Sequence, residues 1–169
     1  MNVVSLLTRY KAWADELFLQ TLSQLSEIQL TEPQPIVFGS LIRTLHHVYA
    51  MDRVWRAHLL GIGHGYSTRN PEAHPPFEEL RVRQTEIDRW YVGYAASLTD
   101  AQANDAVRFT FINGGDGVMS RGEILVHAVN HTTYHRGNMA DMLWRWSIPP
   151  PTTDFPVFMR ELKQSDDTG

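Results

Sequence analysis

Apolar positions along the chain recur at helical spacing in four stretches and at a two-residue repeat in one. In residues 3 to 23, Leu6, Tyr10, Trp13, Leu17 and Thr21 share a face that Leu7, Ala14, Phe18 and Leu22 widen, so this helix is expected to be flanked on two sides. SEIQLTEPQPIVFG, with two prolines, reads as the loop that ends it. A second helix, about 39 to 61, carries Leu41, Leu45, Val48, Trp55 and Leu59, with Ser40 as cap and Gly61 and Gly63 as stop. The third begins near Pro76 and presents Phe77, Leu80, Ile87, Tyr91, Tyr94 and Leu98, while Glu78 and Glu79 suit its N-terminal dipole. The period then changes: in AVRFTFINGGDGVMS, Val107, Phe109 and Phe111 alternate with Arg108 and Thr110. With NGGDG as the turn, this predicts a short β-hairpin.

The fourth helix, 120 to 146, carries the chemistry. Ser120 and Glu123 form a capping-box pair, and Ile124, Ala128, Met139, Met142 and Trp146 set its apolar stripe. At about 100° per residue, His131 and His135 lie within roughly 20° of the middle of that stripe. Two imidazoles four residues apart can grip one ion. Chance alone would place roughly 0.4 such pairs in a chain with 8 His in 169 residues. Here His127/His131 and His131/His135 overlap. His127 and His135 lie about 12 Å apart along the axis, so one ion cannot take all three, and His127 reads as a supporting or structural ring. The alternative is a buried pair satisfied by neighbours; each unsatisfied ring would cost about 1–3 kcal/mol.

Four long helices and a hairpin before the last define an all-α four-helix bundle. Sites in such bundles draw side chains from facing helices. His46 and His47 are about 100° apart, so at most one can join a given site. Met51 and Val54 follow His47 on its face, making it the better-buried candidate third ligand. IGHGYSTRNPEAHPP, 62 to 76, reads as a loop with His64 and His74 in solvent and His58 at the edge of the second helix. After a proline stop, Phe155 and Phe158 are expected to fold back on one helical turn. We expect one domain, 1–163, and a flexible tail, 164–169.

Composition narrows the chemistry. The chain of 169 residues has net charge -4 and no basic run, which argues against nucleic-acid binding. It has no Cys, which excludes disulfides, thiolate ligands and a Cys nucleophile and leaves imidazole and oxygen donors for any metal. No apolar run reaches the roughly 20 residues of a membrane span. No signal segment is apparent, so a cytoplasmic location is the expectation.

TLHHVYAMDRVW (44 to 55) followed by EILVHAVNHTTYHRGNMADML (123 to 143) resembles the DinB/YfiT-like family, and YKAWADELFL resembles that family's first helix. The resemblance runs through most of the chain. It implies a four-helix bundle holding a divalent metal through three histidines, here His47, His131 and His135. His46 stands where the family often has Asn, and Asn138 where Gln is common. Better-understood relatives are transferases and isomerases dependent on bacillithiol, mycothiol or glutathione, and some form dimers. The family name refers to damage inducibility and implies no DNA binding.

Three imidazoles leave a coordination position open, as catalytic sites do. Zinc is the first expectation for the ion and nickel the second. The substrate is expected to be a small molecule. Any thiolate must come from a low-molecular-weight cosubstrate, because the chain has no Cys. Thr132, Thr133 and Tyr134 separate the two histidines, so the Glu of a zinc-protease motif is missing. Asp52 is a candidate general base, against the simpler reading that it pairs with a cation such as Arg136. Tyr49 and Tyr134 could each bring a hydroxyl to the site. A non-catalytic metal- or ligand-binding bundle associated with stress remains the alternative to an enzyme. The opposite face of the fourth helix, with Val126, Thr133, Gly137, Ala140 and Trp144, predicts a homodimer contact unless the hairpin or the C-terminal segment covers it.

Overall fold

The structure, a computed structural model, describes residues 2–167, and side chains as far as Gln164. Its elements in order are α1 (Val3–Leu22), α2 (Glu27–Thr31), α3 (Leu41–Leu60), α4 (Phe77–Ser97), α5 (Asp100–Ala103), β1 (Ala106–Thr110), β2 (Asp116–Ser120), α6 (Arg121–Arg145) and α7 (Phe155–Asp167). The four long helices start and stop where local chemistry directs. The Asn2 side chain accepts from the Ser5 amide at 2.8 Å and caps α1. Ser40 caps α3, which ends where Gly61 turns left-handed at φ 66°. Ser120 Oγ accepts from the Glu123 amide at 3.2 Å and Glu123 returns a bond to the Ser120 amide at 2.6 Å, so the expected capping box opens α6.

α1 packs against α4 and α6, and α3 packs against the same two helices, which puts α1 and α3 at opposite corners of the bundle. Leu22, Leu41, Leu80, Ile124, Leu125, Met142 and Leu143 are fully buried between them. Burying one such side chain stabilises by about 1.5–3 kcal/mol, so this layer fixes the relation of α3 to α6 on which the site depends. The antiparallel hairpin pairs Val107 with Met119 and Phe109 with Gly117, and points Val107 and Phe109 into the core.

Three segments differ from the sequence reading. Residues 26–39 are not all loop: Ser26 and Gln29 form a capping box that nucleates α2 before the prolines stop it. The same Thr-x-x-Gln chemistry at Thr99 and Gln102 starts α5. The C-terminal segment is more than one turn, because Phe158 and Leu162 bury against Tyr10, Ala14 and Val129 and carry α7 to Asp167. Of the tail 164–169, Thr168 and Gly169 lie outside the described residues.

Candidate metal centre

His47 reaches the α3–α6 interface because its face continues through Met51 and Val54, both buried. His131 and His135 lie one turn apart on the side of α6 that meets α3. The three rings converge: His131 Nε2 is 3.2 Å from His47 Nε2 and 3.2 Å from His135 Nε2. One potential ligand atom from each lies within 4.8 Å of the others. His46 is buried too but stays outside the cluster, as the 100° offset requires.

Hydrogen bonding cannot account for both 3.2 Å contacts. His47 Nδ1 donates to the Arg69 carbonyl at 2.9 Å, so the neutral ring presents a bare lone pair at Nε2. One proton on His131 Nε2 can serve His47 or His135, not both. A proton on His135 Nε2 can serve His131 only when His131 is itself bare, which leaves the His47 contact lone pair to lone pair. A cation among the three nitrogens removes that conflict. Ligand bonds of about 2.0–2.1 Å in tetrahedral geometry separate neighbouring nitrogens by about 3.3 Å, close to the spacing of the two pairs that His131 makes.

The electrostatics agree. Burial, reinforced by His135 and His47, pushes His131 down to about 2, and burial with the charge of His47 pushes His135 down to about 4. Burial also lowers His47, with the Arg69 carbonyl opposing. All three are neutral near pH 7, the form that ligates. His131 Nδ1 is buried without a hydrogen-bond partner among the described residues, whereas Asn138 Nδ2 lies 3.5 Å from His135 Nδ1. Phe38 stacks on His47 with ring centroids 4.1 Å apart and covers one side of the cluster.

Two cavities adjoin the histidines. A larger one of about 360 Å³ meets His131 and is walled by Trp55, His58 and His127 and by the hairpin tip at Phe111 and Ile112. A smaller one of about 240 Å³ touches His47, His131 and His135, with Tyr134 and Asn138 at its edge. Arg69 lines both. His127 is therefore a wall residue, half-buried against Trp55 with ring centroids 4.6 Å apart. Tyr134 borders the site, while Tyr49 is core packing.

Asp52 is not brought to the histidines. It is 1% exposed and accepts from Lys11 Nζ at 2.8 Å and from Gln84 Nε2 at 2.9 Å. The cation it pairs with is Lys11 and not Arg136, which pairs with Asp15 at 2.6 Å, one turn along α1 from Lys11. His64 and His74 are half-buried, not solvated: His64 Nδ1 accepts from the Tyr66 amide at 3.0 Å, and His74 Nδ1 lies 3.0 Å from the Pro75 carbonyl. Arg69 and Phe38 were missed. Arg69 is the sole Lys or Arg of its loop, the one hint the sequence offered. Nothing local pointed to Phe38.

A helical bundle whose facing helices aim three neutral imidazoles at one point, beside a cavity, defines the class of bundle proteins able to hold a metal ion. The chain belongs to the DinB family, whose model matches residues 1–166. It is similar to Protein DinB of Bacillus subtilis (strain 168), 27% identical over 162 residues that cover 90% of this chain and 91% of that protein. A crystal structure of a DinB-like protein from Bacillus cereus ATCC 10987 superposes with TM-score 0.65 at 16% identity, covering 85% of this chain and 91% of that one. A conserved protein from Enterococcus faecalis superposes with TM-score 0.58 at 16% identity, over 84% and 95% of the two chains. Those structural likenesses concern the fold.

Proposed function

We propose that the chain is a divalent-metal-dependent enzyme acting on a small molecule, a thiol-dependent S-transferase or a related hydrolase, with His47, His131 and His135 as ligands. The observation that carries this is the pair of 3.2 Å nitrogen contacts, which protons cannot both satisfy. Zinc is the first choice and nickel the second, since nitrogen ligands suit both and affinity order alone does not separate them. An ion held by these three residues would supply Lewis acidity that lowers the pKa of a bound thiol or water.

The chain's own residues orient and shelter that site. The Arg69 carbonyl fixes the tautomer and ring angle of His47, and Phe38 excludes water from its face. The larger cavity seats a substrate beside His131. With no Cys in the chain, the thiol is a cosubstrate. Among the described residues no helix is long and apolar enough to cross a membrane. Nucleic acid and membrane are not among the partners we propose.

Metal analysis of untagged protein should find about one divalent ion per chain in the wild type and none in His135→Ala. Conjugation of a thiol to an electrophile should then be lost on chelation. A bound metal with no chelator-sensitive turnover would favour the alternative, a metal- or ligand-binding bundle without catalysis.

A further inference from the structure

Among the described residues the cavity beside His131 has one formally charged residue in its lining, Arg69, and no Asp or Glu. Among the described residues Arg69 is likewise the one Lys, Arg, Asp or Glu lining the smaller cavity at the three histidines. Among the described residues no carboxylate lies within ion-pair distance of it, although Arg81, Arg83, Arg121, Arg136 and Arg145 all have acidic partners. Its backbone is tied to α3, because the Arg69 carbonyl accepts a hydrogen bond from His47 Nδ1. Much of the wall is apolar or aromatic, with Met51, Val54 and Trp55 from α3 and Phe111 and Ile112 from the hairpin, while Asn113 and the rings of His58, His127 and His131 are its neutral polar groups. A volume of about 360 Å³ suits a small ligand.

We propose that this cavity takes a small organic anion, a flat apolar body held between Trp55 and Phe111 with its carboxylate or phosphate group on the Arg69 guanidinium. An arginine fork matches either head group with two parallel hydrogen bonds. Because Arg69 and His131 border the same space, the reactive part of such a molecule lies next to the histidines. This deepens the proposed function by naming a substrate class, and it rests on that reading for catalysis, not for binding.

The test uses 1-naphthoate, 1-naphthyl phosphate and the neutral 1-naphthamide, titrated calorimetrically into metal-loaded and chelator-treated full-length protein. The anions should bind at least tenfold more tightly than the amide in both preparations. The Arg69→Gln variant should lose that preference and keep its affinity for the amide, while Arg69→Lys should retain part of it. Phe111→Ala, at a half-exposed position, should weaken all three probes alike. Preference for either anion over the other assigns the head group within the class. Discrimination that survives Arg69→Gln, or that disappears on chelation, overturns the proposal, the latter by assigning the anion to the metal. No binding of any probe overturns it as well. Anion discrimination by a protein that takes up no metal would instead sink the metal reading and leave this one standing.

Discussion

His47, His131 and His135 differ from His127 in what a substitution should do. Removing any of the three deletes a converging nitrogen, so His47→Ala, His131→Ala and His135→Ala should each lose the bound ion by elemental analysis. His127→Ala should keep it, because that ring walls the cavity against Trp55. Proton linkage gives a second expectation for the chelated protein. The folded-state values of His131 (about 2) and His135 (about 4) lie below the ordinary 6.5, so the unfolded chain takes up protons first as pH falls. The stability these rings contribute is complete above 6.5 and is lost as pH drops through the window towards the folded values. By pH 5, His135 alone should account for up to about 2 kcal/mol. Thermal unfolding of metal-free protein at pH 7.5 and pH 5 reads this directly; an equal or higher midpoint at pH 5 would contradict it. The clustering of these three rings was legible in the sequence because helical geometry places His131 and His135 together and separates His47 from His46 by 100°. Arg69 was not, since a contact 22 positions on, made from the loop that follows α3, leaves no periodic trace.

Between elements, the main polar tie is a buried charge network away from the histidines. Lys11 of α1 is fully buried and bonds Asp15 at 3.0 Å, Asp52 of α3 at 2.8 Å, and Asp88 of α4; Arg136 of α6 closes the set on Asp15. All four long helices are thereby joined. Burial alone would push Lys11 down, yet its three carboxylates outweigh that and hold the ammonium well above its ordinary value. Burial drives Asp88 well above the ordinary carboxylate value, with Asp15 and Asp52 adding to the effect and Lys11 opposing it. Lys11→Met should destabilise by about 3–5 kcal/mol, because it strands buried carboxylates. Asp88→Asn should be much milder, since Asp88 is the carboxyl most ready to be neutral; urea titrations of both variants rank them. The sequence concealed this network, because periodicity marks apolar faces and treats a lysine among them as solvent-facing. The hairpin shows the same limit at smaller scale. A Cβ on Gly117 would meet the Phe109 ring at 2.5 Å, and that ring packs against Trp55 with centroids 5.0 Å apart. Gly117→Ala should therefore lower stability by about 1–3 kcal/mol and loosen the cavity wall. The alternating pattern revealed the strands but not which glycine carries a ring.

At the scale of the whole molecule, the question is what covers the outer face of α6. The C-terminal segment was one possibility, and α7 does bury Val129 through Phe158 and Leu162. It leaves Val126 at 43% exposed and Trp144 at 59%, with Gly137 open between them. One exposed apolar side chain is ordinary; two on one helix face, separated by a residue that lets another backbone approach closely, fit a helix partner. We propose that the partner is a second copy of this chain, packed α6 against α6 about a two-fold axis, so that each copy offers the same patch. Light scattering at micromolar concentration should return twice the 19.4 kDa chain mass. Gly137→Glu supplies the control, because a Cβ there meets nothing within 4 Å and the folded monomer should tolerate it. That variant should scatter as a monomer and keep its metal, since each site draws all three histidines from one chain. A wild-type monomer would remove the dimer, and a Gly137→Glu dimer would move the contact to another face.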